Sequence, residues 1–140
     1  MSDLPKEAFE ILKQVNAKAY APYSGFKVSA VVKVKGDDTL YSGNNVENAV
    51  NGASVCAERS AISHMVSQTG AKPLEWVAVL GGKSGEKVAP CGVCRQVIFE
   101  FCEDIDVPVY MFADDGSFEK TTIGDLLPMA YKGKDFLKNY

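Results

Sequence analysis

Apolar residues recur at helical spacing at the start of the chain: Leu4, Ala8, Leu12, Val15 and Ala19, with lysines and glutamates between them. The spacing predicts an amphipathic helix over residues 4–20. Ser2 or Asp3 is placed to cap it, Pro5 suits its first turn, and Pro22 lies past its end. The period then changes to two. Phe26, Val28, Ala30, Val32 and Val34 alternate with Lys27, Ser29, Lys33 and Lys35, which predicts a half-buried strand with Val31 as one apolar break in the polar face. Gly36-Asp37-Asp38 reads as a turn into a second, antiparallel strand over Thr39–Ser42.

Residues 43–53 are polar and aperiodic. A helix is expected from about Ser54 to Ser67, stopped by Thr69-Gly70. Trp76–Leu80 is a short buried strand, and Pro90 opens a third helix over Cys91–Phe101. Val107–Phe112 and Phe118–Thr122 are strands around an Asp114-Asp115-Gly116 turn. Short helices over Ile123–Ala130 and Lys134–Lys138 close the chain. Strands and helices alternate through the middle, so a parallel sheet covered on both faces is expected there. The whole predicts a three-layer α/β/α sandwich on a mixed five-stranded sheet. At 140 residues the default is one domain over 1–140.

Composition narrows the function. Hydrophobic residues at 46% and charged residues at 24% describe a globular protein with a core of its own. A net charge of -3 argues against a nucleic-acid partner, which wants a basic surface. No run approaches the ~18 apolar residues of a membrane span. The first ten residues, MSDLPKEAFE, lack the apolar stretch of a signal peptide, so a cytoplasmic protein is expected. Four cysteines in a reducing compartment read as metal ligands or catalytic groups rather than disulfides. Thirteen of the 15 basic residues are Lys; the two arginines, Arg59 and Arg95, both stand beside the cysteine clusters. Arginine offers a planar fork of donors that lysine lacks.

Those clusters are Cys56-Ala57-Glu58 and, far downstream, Pro90-Cys91-Gly92-Val93-Cys94. A C-x-x-C at a helix start puts two thiolates one turn apart on one face. A third from another helix start gives three protein ligands, and three leave a tetrahedral position open, the mark of a catalytic zinc. The pattern with a nearby glutamate that is not a ligand is the one described for zinc nucleobase deaminases. Three thiolates on one zinc carry a net charge of -1, which two helix N-termini and Arg59 would offset. Two plainer readings compete: a redox C-x-x-C pair, and a structural zinc that takes Cys102 as fourth ligand. Cys102 falls two turns beyond Cys94 and reads better as a small buried hydrophobe. His64, the only histidine, reads as a surface or packing residue.

At these residues the chain resembles the small homotetrameric zinc-dependent cytidine deaminases. The matching pieces are Ala21-Pro22-Tyr23-Ser24 with Phe26-x-Val28, Asn45-Val46-Glu47-Asn48-Ala49, Cys56-Ala57-Glu58-Arg59-Ser60-Ala61, Pro90-Cys91-Gly92-Val93-Cys94-Arg95-Gln96 and Leu126-Leu127-Pro128. The resemblance implies one zinc ion per chain on Cys56, Cys91 and Cys94, with Glu58 as proton shuttle. It implies that Asn45 and Glu47 hold the ribose, Phe26 and Ala57 line the nucleoside site, and Arg59 supports the ligand sulfurs. It further implies a homotetramer in pyrimidine salvage that deaminates free cytidine and deoxycytidine, zinc activating a water for addition at C4. Two positions depart from the family pattern. Asn51 stands where tyrosine is usual, and Tyr131 where phenylalanine is usual. Either they wall the pocket from neighbouring subunits, widening the range toward bulkier cytosine nucleosides, or they are exposed loop residues without a role. A nucleic-acid-editing deaminase and a non-enzymatic zinc-stabilised module remain as alternatives.

Overall fold

The computed structural model describes residues 4–82 and 85–133. Helix α1 spans Glu7–Ala17, followed by strands β1 (Val28–Val34) and β2 (Leu40–Asn44). Helix α2 (Ala57–Thr69), strand β3 (Leu74–Gly81), helix α3 (Gly92–Glu100), strands β4 (Pro108–Phe112) and β5 (Phe118–Thr122), and the short α4 (Ile123–Leu126) complete the order. The strands form one mixed sheet in the order β2-β1-β3-β4-β5. This is the expected α/β/α sandwich on five strands.

Among the described strands only β3 and β4 pair in parallel; β1 is antiparallel to both β2 and β3. The expectation of a parallel middle therefore holds for one pair. The reason is topological. A helical crossover joins strands that run the same way, and β2 and β3 do run the same way, but β1 lies between them.

The period-two pattern decides the layers. Ala30, Val32 and Val34 of β1 join Val77, Val79 and Val109 beneath Ala61, Ile62, Met65 and Ile98 of the α2–α3 layer. Val31, Trp76, Ala78 and Tyr110 point the other way, onto Ala8 and Leu12 of α1. β1 is thus buried on both faces, which corrects the half-buried reading and explains Val31. Ser29 is fully buried on the α1 side, where its hydroxyl donates to the Leu12 carbonyl at 2.7 Å. Lys33 keeps its charge paired with Glu75 at 3.1 Å.

α1 is shorter than the periodicity predicts. Its N-cap is Lys6, and Ser2 and Asp3 lie outside the described residues. At the other end Tyr20 leaves the helix to bridge Val46; its N–H donates to the Asn45 carbonyl at 3.0 Å and its carbonyl accepts from Glu47 at 2.8 Å. Tertiary pairing overrides propensity here. α4 likewise stops at Leu126 instead of Ala130, because Pro128 disfavours a helical residue before it. The helix expected over 134–138 lies outside the described residues.

One contact sets the height of α2 over the sheet. A Cβ built on Gly43 of β2 would stand 2.3 Å from the Ala61 nitrogen and 2.7 Å from the Ser60 carbonyl carbon. Only glycine lets the helix lie this close to β2. No helix among the described residues is long and apolar enough to cross a membrane.

Candidate active site

Both cysteine clusters sit at helix starts, α2 beginning three residues and α3 one residue later than expected. Cys56 is the N-cap of α2 and Cys91 the N-cap of α3, while Cys94 lies one turn into α3 and is fully buried. The two helices converge by their positive ends, so their dipoles favour negative charge between them. The sulfurs of Cys56, Cys91 and Cys94 lie within 4.8 Å of one another. Sulfurs around a tetrahedral zinc with bonds of about 2.3 Å stand about 3.8 Å apart. The cluster needs only a small contraction to hold one ion. Cys102 is not part of it; its thiol donates to the Ile98 carbonyl at 3.2 Å.

The thiols are tuned unequally. Burial pushes the Cys94 thiol up strongly, and the nearby charge of Glu58 adds to it. Burial also raises Cys91, but hydrogen bonds from the Cys94 N–H and from the Cys94 and Cys56 thiols outweigh it, and its net direction is down. Such a cluster resists full ionisation by its own means. A bound cation supplies the missing compensation, so the donor set fits zinc.

Arg59 supplies part of that compensation. Its Nη2 lies 3.7 Å from the Cys56 sulfur and donates to the Ser54 carbonyl at 3.2 Å, and the Cys56 sulfur holds the guanidinium firmly charged. Its Nε is buried with no hydrogen-bond partner among the described residues. Arg95 works elsewhere: Nε donates to the Pro90 carbonyl and Nη1 to the Leu126 carbonyl, each at 2.8 Å. It ties the start of the thiol-bearing helix to the end of α4. Arg59→Ala should therefore weaken zinc retention by about 10–100-fold, the usual loss when a group supporting a metal ligand is removed. Arg95→Ala should chiefly lower stability, by about 1–3 kcal/mol for orphaned carbonyls. Zinc transfer to a chromogenic chelator, run beside thermal melts, separates the two; equal zinc retention in both variants would contradict the assignment.

Glu58, in the first turn of α2, is 4% exposed and opens onto a cleft of about 340 Å³. Burial holds its carboxyl above the usual glutamate range, against a smaller opposing pull from its own backbone N–H and from Arg59. Cys56, Ala57 and Cys91 line the cleft together with Val28, Val79, Val88 and Ala89, and Ser24, Phe26, Asn45 and Glu47 complete its lining. The structure thus gathers seven of the sequence-assigned residues around one cleft.

Two of them are engaged with the backbone. The Asn45 side-chain oxygen accepts from Val28 N at 2.9 Å, and its Nδ2 donates to the Phe26 carbonyl at 2.8 Å. Glu47 Oε1 accepts from the Tyr23 and Ser24 amides at 3.0 and 3.1 Å, and Oε2 from the Ser24 hydroxyl. Ser24 was not singled out from sequence as a site residue, although a serine after Pro-Tyr in a turn is a known backbone binder. Val88 and Ala89 carry no chemical signal that could have marked them.

Asn51 and Tyr131 do not line this cleft. Asn51 begins an exposed 3₁₀ turn, and Tyr131 is exposed, its carbonyl accepting from Gln96 at 3.2 Å. His64 is a packing residue on an exposed helix face, edge-on to Tyr41 at 5.5 Å, with Nδ1 at 3.1 Å from the Ser42 carbonyl.

The family model for the cytidine and deoxycytidylate deaminase zinc-binding region matches residues 3–111. The chain belongs to this deaminase family. The cytidine deaminase of Sporosarcina psychrophila is 42% identical over 123 residues, 88% of each chain. That of Halalkalibacterium halodurans is 38% identical over 122 residues, 87% of this chain and 89% of the relative. The crystal structure of cytidine deaminase from Burkholderia pseudomallei superposes with a TM-score of 0.80 at 38% identity, covering 94% of this chain and all of the other. In this deaminase the Cys56, Cys91 and Cys94 cluster is positioned for one zinc ion.

Proposed function

We propose that this deaminase converts free cytidine and deoxycytidine to uridine and deoxyuridine, taking up water and releasing ammonia, as one catalytic domain over residues 1–140. The observation that carries this reading is the buried Glu58 carboxyl beside the three-thiol cluster, in one cleft with Phe26, Asn45 and Glu47. Bound zinc supplies a Lewis acid that makes water a nucleophile near neutral pH. Glu58 takes a proton from that water and passes it to ring N3, which makes C4 electrophilic. The oxygen of that water adds to C4, and Glu58 then carries the remaining hydroxyl proton to the amino group as the C4–N bond breaks, leaving the C4 carbonyl and free ammonia. A carboxyl that must both accept and donate works best when its pKa is raised, and burial raises this one.

Ala57 and Phe26 hold the base, and Asn45 and Glu47 hold the sugar. A carboxylate offers about four acceptor sites, and the Tyr23 and Ser24 loop fills three on Glu47. One remains, enough for a single sugar hydroxyl. That supports binding through the 3′-hydroxyl and indifference to the 2′ position. The cleft, at about 340 Å³, is at the small end of ligand sites of about 300–1,000 Å³. With Glu47's charge at its wall it suits a free nucleoside and repels a following phosphate.

Exposed apolar residues support a homotetramer whose neighbours close the pocket with Asn51 and Tyr131. Val46, Val50 and Val55 lie exposed along the segment that carries the sugar-binding residues, Val93 on the thiol-bearing helix, and Met129 beside Tyr131. Apolar side chains left in water around a cleft mark a surface for association. A place in the cytoplasm, in pyrimidine salvage, completes the reading; thiol ligands favour reducing surroundings. Zinc-loaded protein incubated with cytidine should shift the ultraviolet spectrum to that of uridine, and light scattering should give four chains. An unchanged cytidine spectrum would remove the proposed activity, and a monomer would remove the shared pocket.

A further inference from the structure

We propose that Ser24 is a positioning residue for substrate: its hydroxyl fixes the plane of the Glu47 carboxylate and aims the one open acceptor site at the sugar 3′-hydroxyl. The proposal rests on the sugar-binding reading of Glu47 given above. It starts from a chain of three groups. The Phe26 N–H donates to Ser24 Oγ at 3.0 Å, and Ser24 Oγ donates to Glu47 Oε2. A hydroxyl has one proton and two lone pairs. The Phe26 amide occupies a lone pair, so the single proton turns toward the carboxylate. Phe26 and Glu47, which line the cleft with Ser24, are thereby joined through one oxygen.

The other two bonds to Glu47 cannot do this work. Both the Tyr23 and Ser24 amides donate to the same oxygen, Oε1. Two bonds at one oxygen leave the carboxylate free to swing about it. The Ser24 hydroxyl is the sole side-chain donor to Oε2 among the described residues, and it removes that freedom. It also holds the Glu47 carboxyl below the usual range, ahead of the two amides in effect. The turn that presents it is built for the purpose. Gly25, at φ 70°, closes an Ala21–Gly25 turn with its N–H on the Ala21 carbonyl at 2.9 Å. A side chain rarely adopts that backbone, and the reversal is what brings Ser24 back over Glu47.

The test compares cytidine with 3′-deoxycytidine on zinc-loaded wild type, Ser24→Ala and Ser24→Thr. Ser24→Ala should raise KM for cytidine about tenfold, the scale of one hydrogen bond to a charged group, with kcat within about twofold. KM for 3′-deoxycytidine should stay near its wild-type value, because that substrate has no hydroxyl for Glu47 to hold. Ser24→Thr keeps the hydroxyl and should restore the cytidine KM. Zinc content and circular dichroism should match across the three proteins. An unchanged cytidine KM in Ser24→Ala overturns the proposal. So does an equal rise for both substrates, which would put the hydroxyl's work at Phe26 instead. If wild type fails to prefer cytidine over 3′-deoxycytidine, the sugar role of Glu47 falls, and the role of Ser24 with it.

Discussion

Glu58→Gln should yield a folded, zinc-loaded protein whose kcat for cytidine is lower by at least about 10²–10⁴-fold, the contribution of one general acid–base group. The substitution keeps the shape and removes only the titrating oxygen. Glu58 lies in a buried first turn with Ala57 and Ala61 around it, so glutamine fits without repacking. The loss should sit at or beyond the upper end of that range, because one carboxyl serves both proton deliveries. The wild-type pH profile gives a second check. Burial raises the Glu58 pKa above the ordinary value, and the first step needs the carboxylate. Activity should therefore fall on acidification through that raised value, before an exposed glutamate with a pKa of about 4.3 would begin to protonate. Near-normal turnover in Glu58→Gln, with zinc retained, would place the proton carrier elsewhere.

The second large effect is expected at Cys94. Cys94→Ala should abolish turnover and leave protein that no longer holds zinc through dialysis, while Cys102→Ala keeps one zinc per chain and full activity. The contrast follows from position. Cys94 is fully buried within the three-sulfur cluster, and no other His, Cys, Asp or Glu among the described residues joins that cluster to replace it. Cys102 sits at the far end of α3 on the Ile98 carbonyl. Because burial suppresses ionisation of Cys94, its proton must leave as metal enters, and zinc affinity should weaken steeply as pH falls. Elemental analysis of both variants, with a zinc titration at two pH values, checks this. Full zinc content in Cys94→Ala would break the ligand assignment.

Much of this was legible in the residues. Alternation over Val28–Val34 gave strand β1, and the one irregularity in it, Val31, was itself information. It marks the face that α1 covers. The thiols and Glu58 could be found because metal chemistry restricts which residues serve and how far apart they stand. What sequence did not yield was pairing at a distance. Nothing near Tyr20 announces that it will leave a helix for Val46. Nothing in Asn45 announces that its amide will span the Phe26 and Val28 backbone. Arg95 stood out by composition alone, and its work at Pro90 and Leu126 needed the fold to appear. Local rules reach a turn or two along the chain; these contacts join segments brought together by the sheet.

The close approach at Gly43 bears on how this sequence can drift. The atoms a side chain there would strike are the Ala61 nitrogen and the Ser60 carbonyl carbon, together with the Ser60 Cβ. Two of the three are main chain, so no exchange of a neighbouring side chain clears the space. A compensating mutation would have to lift α2 itself, and the start of that helix carries Cys56 and Glu58. Keeping α2 at this height over β2 thereby confines position 43 to glycine, a residue outside the cleft lining.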